Sequence, residues 1–297
     1  MVVAVLVAYF RAVSRRDREG RPSATRRQRT QFVAGVLVLW LASDWPLGTL
    51  GAGYMASAHM VQYLLYTMAA VPLMMLGIPQ AMASDAIDRL RLRSVTGFFS
   101  RPLAAAVTFN VVMVTTHSPP VTDTLRATQW GSLVMDAIWV LGALALWAPV
   151  INPIADQRSQ SYPVRMTYLF LAVGVVVVIP SAALIIGAEP IYRTFELAPR
   201  VFPGWSAVED QQFAGVIMKL GATPIVWGAI LVMFVRWANV SGGWSNKFGP
   251  KYRGRLVHAD GTVDDAVDIS GPDDQPVRAP GGARQAVAAG LRPEQLN

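Results

Sequence analysis

Cysteine is missing from all 297 residues. That one absence excludes disulfides, thiolate metal sites and cysteine nucleophiles together. Charge is scarce too: Asp, Glu, Lys and Arg make up 15% of the chain, where a soluble domain carries about 25%. Histidine occurs three times, as His59, His117 and His258, so each can be judged singly. A metal held here must use His, Met, Tyr or carboxylate. Also missing are a Gly-rich phosphate loop before a basic helix and any nucleophile–base constellation, so no enzymatic turnover is expected. The tail stretch GPDDQPVRAPGGAR is low-complexity sequence, not a phosphate cradle.

What the chain has is apolar length. Hydrophobic residues form 53% of it, which with so little charge places it among membrane proteins, with the lipid bilayer as its first partner. The net charge of +7 is mostly arginine in clusters. In so apolar a chain those clusters read as cytoplasmic loops flanking spans, not as a nucleic-acid surface.

Seven spans are expected. The first, Met1 to Val13, is shorter than the ~20 residues of a full crossing and reads as the back half of a span whose start lies upstream. Eight arginines follow between Arg11 and Thr30. Span two has its core from Phe32 to Ser43 and ends at Asp44-Trp45-Pro46. Span three runs from His59 to Met82, and a basic amphipathic linker, DAIDRLRLRSVTGFFSRP, leads to span four, Leu103 to Thr116. Span five runs from Ser132 to Val150, span six from Met166 to Gly187, and span seven from Phe213 to Trp237. Ser206 and Glu209 form a capping-box pattern that starts the last helix just after Ser206. Residues 241–297 are Gly-, Pro- and Asp-rich and are expected to be a disordered cytoplasmic tail. The fold class is therefore an all-α integral membrane protein, a bundle of about seven helices over residues 1–240. The alternation of basic loops puts the N-terminus outside and the C-terminus in the cytoplasm.

This topology sends the unusual polar residues to the outer leaflet. His59 opens span three, His117 closes span four, Asp44 closes span two, and Glu209, Asp210 and Gln211 open span seven. Tyr63 lies one turn below His59 on the same helix face, about 6 Å along the axis. Asp136 lies about 6 Å and Lys219 about 9 Å below the outer ends of their spans. Asp210 is read as a partner for backbone donors at a helix terminus, and His258 as a tail residue without a role. Met60 and its fellow methionines suit packing or a soft metal. Asp136 and Lys219 are too costly in mid-leaflet to stand alone, so they are expected to pair with each other or with a polar cavity holding Tyr63.

Several segments resemble one family, the CtaG-type cytochrome c oxidase assembly factors. SAHMVQYLL with VPLMMLGIP is similar to their histidine-bearing span, THSPPVTDTL to their His-x-Pro segment, LWAPVINP to the Trp-containing exit of their fifth span, and SAVEDQQFAGVIM to the opening of a late span. The likeness runs in order from Tyr9 to Trp237. It implies a seven-span bacterial plasma-membrane protein that delivers copper to the haem–copper centre of an oxidase, with other copper chaperones as further partners. Outward-facing histidines would hold the metal, since imidazole and thioether suit Cu(I). On that resemblance His59 and His117, with Met60, are the candidate ligands, and Asp44, Tyr63, Asp136, Asp210, Gln211 and Lys219 form the supporting polar cluster. The chain departs from the pattern in three places. Tyr63 stands where a second histidine is usual, span five reads QWGSLVMDAIW without histidine, and Lys219 replaces a tryptophan. Two functions stay open: copper delivery by a reduced ligand set, or a copper-independent scaffold in which Asp136 and Lys219 have replaced the metal. A transporter is disfavoured by the aliphatic run of span six and the dry inner halves of the spans.

Overall fold

Apolar runs punctuated by proline and by helix caps produce thirteen helices among the described residues of the computed structural model, which are 2–151, 160–240, 253–257 and 263–268. They are α1 (Val2–Arg18), α2 (Arg26–Ser43), α3 (Leu47–Gly53), α4 (Ala56–Gly77), α5 (Gln80–Arg89), α6 (Arg93–Phe99), α7 (Pro102–Thr116), α8 (Pro119–Arg126), α9 (Gln129–Ile151), α10 (Tyr162–Ile186), α11 (Arg193–Glu196), α12 (Ala207–Leu220) and α13 (Thr223–Val240). The chain divides into two compact units, Met1–Met233 and Phe234–Asn297.

Four stretches are long and apolar enough to cross a membrane: α4, α9, α10 and the run Ala207–Asn239. Two bent pairs, α2 with α3 at 48° and α6 with α7 at 88°, bring the number to as many as six where each pair serves as one span. These correspond to expected spans two to seven. The expected first span, α1, does not pass: it is 17 residues long and its second half carries Arg11, Arg15, Arg16 and Arg18. It docks by its apolar face, Tyr9 stacking on Phe32 of α2 at 3.8 Å between ring centroids. The Tyr9 hydroxyl donates to Gly77 O at the end of α4, 2.9 Å away.

Helix α4 is the centre of unit one, packing against α2, α3, α9 and α12. Its middle, Leu65–Ala70, is wound as a π-helix, because Pro72 has no N–H and its ring crowds the preceding turn. Val71 N–H reaches back to Tyr66 O, so the donor due to Thr67 O would be the nitrogen of Pro72. Trp147 of α9 fills that gap, its indole Nε1–H donating to Thr67 O at 2.8 Å. A helix defect in one span is thus satisfied by a side chain of another.

Both ends of the bundle are fastened by caps. Ser206 and Glu209 form the expected capping box, Ser206 Oγ accepting from Glu209 N at 3.2 Å while Glu209 Oε2 accepts from Ser206 N at 2.8 Å. Large apolar side chains stay exposed along the spans, as on α7, where Leu103, Val107, Val111 and Val114 line one stripe. Such a stripe suits lipid contact, not water.

In unit two, Arg253–Val257 (β1) and Val263–Asp268 (β2) pair antiparallel, with Arg253 opposite Asp268 and Val257 opposite Val263. Both segments fall within residues 241–297, the stretch expected to be a tail. Asp260-Gly261 between them is a hairpin signal in the sequence. The rest of the expected tail, with His258, lies outside the described residues.

Candidate functional site

A helical face recurs every three to four residues, and on α4 that face carries His59, Gln62, Tyr63 and Tyr66. All four are buried. Opposite them stand His117, which ends α7, and Trp139 and Asp136 on α9. The His59 and His117 rings meet edge to face, 5.6 Å between centroids. Trp139 lies 4.9 Å from His59 and 5.8 Å from His117, and Tyr63 lies 4.6 Å from His117. His59 and Tyr63 of α4 thus meet His117 ring to ring.

The cation of this cluster is Arg126, at the end of α8. Its side chain is fully buried. Nε–H donates to His59 Nδ1 at 3.2 Å, and Nη2 donates to Gln62 Oε1 and to Asp136 Oδ1, both at 3.2 Å. The guanidinium carbon stands 5.1 Å from the Trp139 ring centroid, a cation–π contact. Asp136 also accepts from the Tyr66 hydroxyl at 3.1 Å, and that hydroxyl meets Ser43 Oγ at 2.8 Å. One ion pair therefore ties α2, α4, α8 and α9 together.

This corrects the expected Asp136–Lys219 pair. Lys219 is exposed on α12, whose buried face is Asp210, Gln211, Ala214, Gly215 and Met218. Its expected depth is close to that of Asp136, but it points to the other side of its helix. The expected hydroxyl partner changes too: Tyr66 bonds Asp136, while Tyr63 packs against His117 and Trp139.

The remaining candidates separate. Asp210 is buried and accepts from Ala56 N at 2.6 Å, from Ser57 N at 3.3 Å and from the Ser57 hydroxyl. It satisfies backbone donors, as expected, but at the N-terminus of α4 instead of its own helix. Gln211 binds the connecting loop, accepting from Ile191 N at 2.6 Å and donating to Glu189 O at 3.2 Å. Asp44 is exposed and caps the end of α2, accepting from Trp40 Nε1 at 2.6 Å and Trp45 N at 2.8 Å. Met60 is fully buried in the apolar core, about 100° around α4 from His59.

The two histidines differ in the nitrogen they present. His117 Nδ1 lies 2.8 Å from Met113 O, so it carries the proton and leaves Nε2 as a lone pair. His59 Nδ1 accepts from an arginine that is always a donor, so a neutral His59 carries its proton on Nε2. The 3.3 Å approach of the same nitrogen to Gly51 O is a bond only in the other tautomer. Both Nε2 atoms, and Arg126 Nη1, are buried without hydrogen-bond partners among the described residues. His117 is thus presented as a metal ligand and His59 is not. Among the described residues no group of three or more His, Asp or Glu side chains is arranged to hold a metal ion.

The model of the cytochrome c oxidase caa3 assembly factor family (Caa3_CtaG) matches residues 7–239. The chain belongs to this family. The matched stretch covers α2 to α12 entirely and contains the whole cluster around Arg126. No curated protein and no solved structure matches the chain. In this caa3 assembly factor family member, sequence reasoning passed over Arg126, Gln62, Tyr66 and Trp139. One signal for Arg126 was present. Ser118-Pro119-Pro120 starts a helix with proline at its first position, and Thr122 and Arg126, four residues apart, share its buried face.

Proposed function

We propose that this protein assists assembly of a haem–copper cytochrome c oxidase as a copper-independent membrane scaffold, set in a bacterial plasma membrane with its N-terminus outside and its C-terminus in the cytoplasm. Family membership supports the assembly role. The observation that carries the scaffold reading is Arg126, a permanent cation hydrogen-bonded to one of the two histidines. A second unit charge about 6 Å from it is disfavoured by about 3 kcal/mol at an effective dielectric of about 20. Asp136 offsets part of that, but its carboxylate is already committed to Arg126 and Tyr66. The histidines then serve as hydrogen-bonding and ring-packing members of a rigid core.

Copper delivery is the second reading, and one observation favours it: His117 Nε2, the nitrogen left with a lone pair, is buried without a hydrogen-bond partner among the described residues. In that reading copper is cargo, passed from another chaperone to the oxidase, and His59, His117 and Met60 hold it. The test is oxidase assembly in cells lacking the protein, complemented with His59→Gln plus His117→Gln. The scaffold reading expects oxidase with full haem and copper content. Oxidase that forms with haem but without copper would overturn it in favour of delivery.

A further inference from the structure

The segment between the third and fourth expected spans is built for a membrane surface. Helix α6 meets α7 at 88°, so it lies across the axis of the span that it feeds. Helices α5 and α6 expose Leu90 (67%), Val95 (48%) and Phe98 (49%), apolar side chains that water would disfavour. Arg89, Arg91 and Arg101 stand exposed among them.

The segment's two acids are already committed. Asp85 takes Arg16 of α1 and Arg21, the latter at 2.7 Å, and Asp88 takes Arg93. None of Arg89, Arg91 and Arg101 has an ion-pair partner among the described residues. Arg91 also holds the left-handed turn position after α5 at φ 54°, where glycine is usual. There Leu92 N–H closes the turn on Ile87 O at 2.9 Å. The Arg16–Asp85 contact brings the basic end of α1 to the same surface.

We propose that α5 and α6 form an amphipathic shelf that binds anionic phospholipid headgroups of the adjacent leaflet. Arg89, Arg91 and Arg101 meet the phosphates while Leu90, Val95 and Phe98 enter the acyl boundary. Charge complementarity and continuity with the lipid-facing stripe of α7 select a phospholipid over a soluble anion.

The test uses the full chain in neutral detergent, titrated with dioleoyl phosphatidylglycerol or dioleoyl phosphatidylcholine, bound lipid being counted by native mass spectrometry. The wild type is expected to prefer phosphatidylglycerol, and raising the salt should weaken that preference. Replacing Arg89, Arg91 and Arg101 with Gln should reduce it by about 5-fold per residue, on the order of 100-fold together. A control with Arg193 and Arg200, exposed near the opposite end of α7, replaced by Gln should lose much less per residue. Equal loss in the control, a salt-insensitive preference, or displacement of the lipid by millimolar inorganic phosphate would each overturn the proposal. The salt arm needs no variant and stands even where one fails to fold.

Discussion

Arg126→Met removes the one cation that Asp136 pairs with. The ion pair is 3.2 Å long, with the arginine side chain fully buried and the aspartate 19% exposed. Breaking a buried pair from one side costs about 3–5 kcal/mol, chiefly because the remaining charge is stranded. Here Asp136 keeps the Tyr66 hydroxyl and some solvent, so about 3 kcal/mol is expected. His59 and Gln62 each lose a donor as well, and Trp139 loses its cation–π contact. The double change Arg126→Met with Asp136→Leu strands no charge and should recover about 2 kcal/mol of that loss. Reversible unfolding in mixed micelles, followed by tryptophan fluorescence, measures the three variants against wild type. Lys219→Met, which removes a charge from an exposed face of a span, should not destabilise the protein. A double variant no more stable than Arg126→Met, or a Lys219→Met that behaves like it, would refute the pairing.

Three further outcomes follow from the same geometry. Asp210→Ala should cost about 2–3 kcal/mol, more than the about 1 kcal/mol of Ser206→Ala, since Asp210 caps α4 with three bonds from a buried position; thermal unfolding of the two variants compares them. Trp147→Phe leaves Thr67 O beside the π-helix without a donor and should cost about 1–3 kcal/mol, seen as faster amide exchange in the middle of α4. Asp85 is held below the usual carboxylate range, first by the hydrogen bond from Arg16 and then by the charges of Arg21 and Arg16. Its folded pKa is depressed, so its stabilisation is present above the unfolded value of about 3.9 and is lost as pH falls through the folded value. Asp85→Asn should therefore flatten the acid limb of the stability profile, and an unchanged limb would count against the Arg16 contact.

How much of this was legible in the sequence depends on whether a feature is axial or azimuthal. Spans and caps are axial. The apolar runs located α4, α9, α10 and α12 with α13, and Ser206 with Glu209 marked the start of α12 to the residue. Position along each span also follows from counting, and His59, Tyr63 and His117 do meet, with Asp136 joined to His59 through Arg126. Pairing needs the direction around the helix as well. Counting puts Lys219 near the depth of Asp136, but Asp210, Ala214 and Met218 turn the other face of α12 inward. Arg126 is not legible because the stretch between spans four and five has the composition of a loop, where an arginine is ordinarily solvated. Its helix folds the side chain back among α4 and α9, and no local pattern predicts that long-range step. Nor does composition reveal the choice of tautomer at His59, which rests on a single donor placed 67 residues away.

The most direct test of the central claim, that Arg126 and not a metal completes the cluster, is Cu(I) binding to the purified protein in detergent under reducing conditions. Wild type is measured beside Arg126→Met, His59→Ala and His117→Ala. The account predicts no stoichiometric Cu(I) on the wild type, and a gain in Arg126→Met, where His59 Nδ1 is freed and Asp136 is left as a nearby negative charge. Stoichiometric binding by the wild type that either histidine substitution abolishes would contradict it.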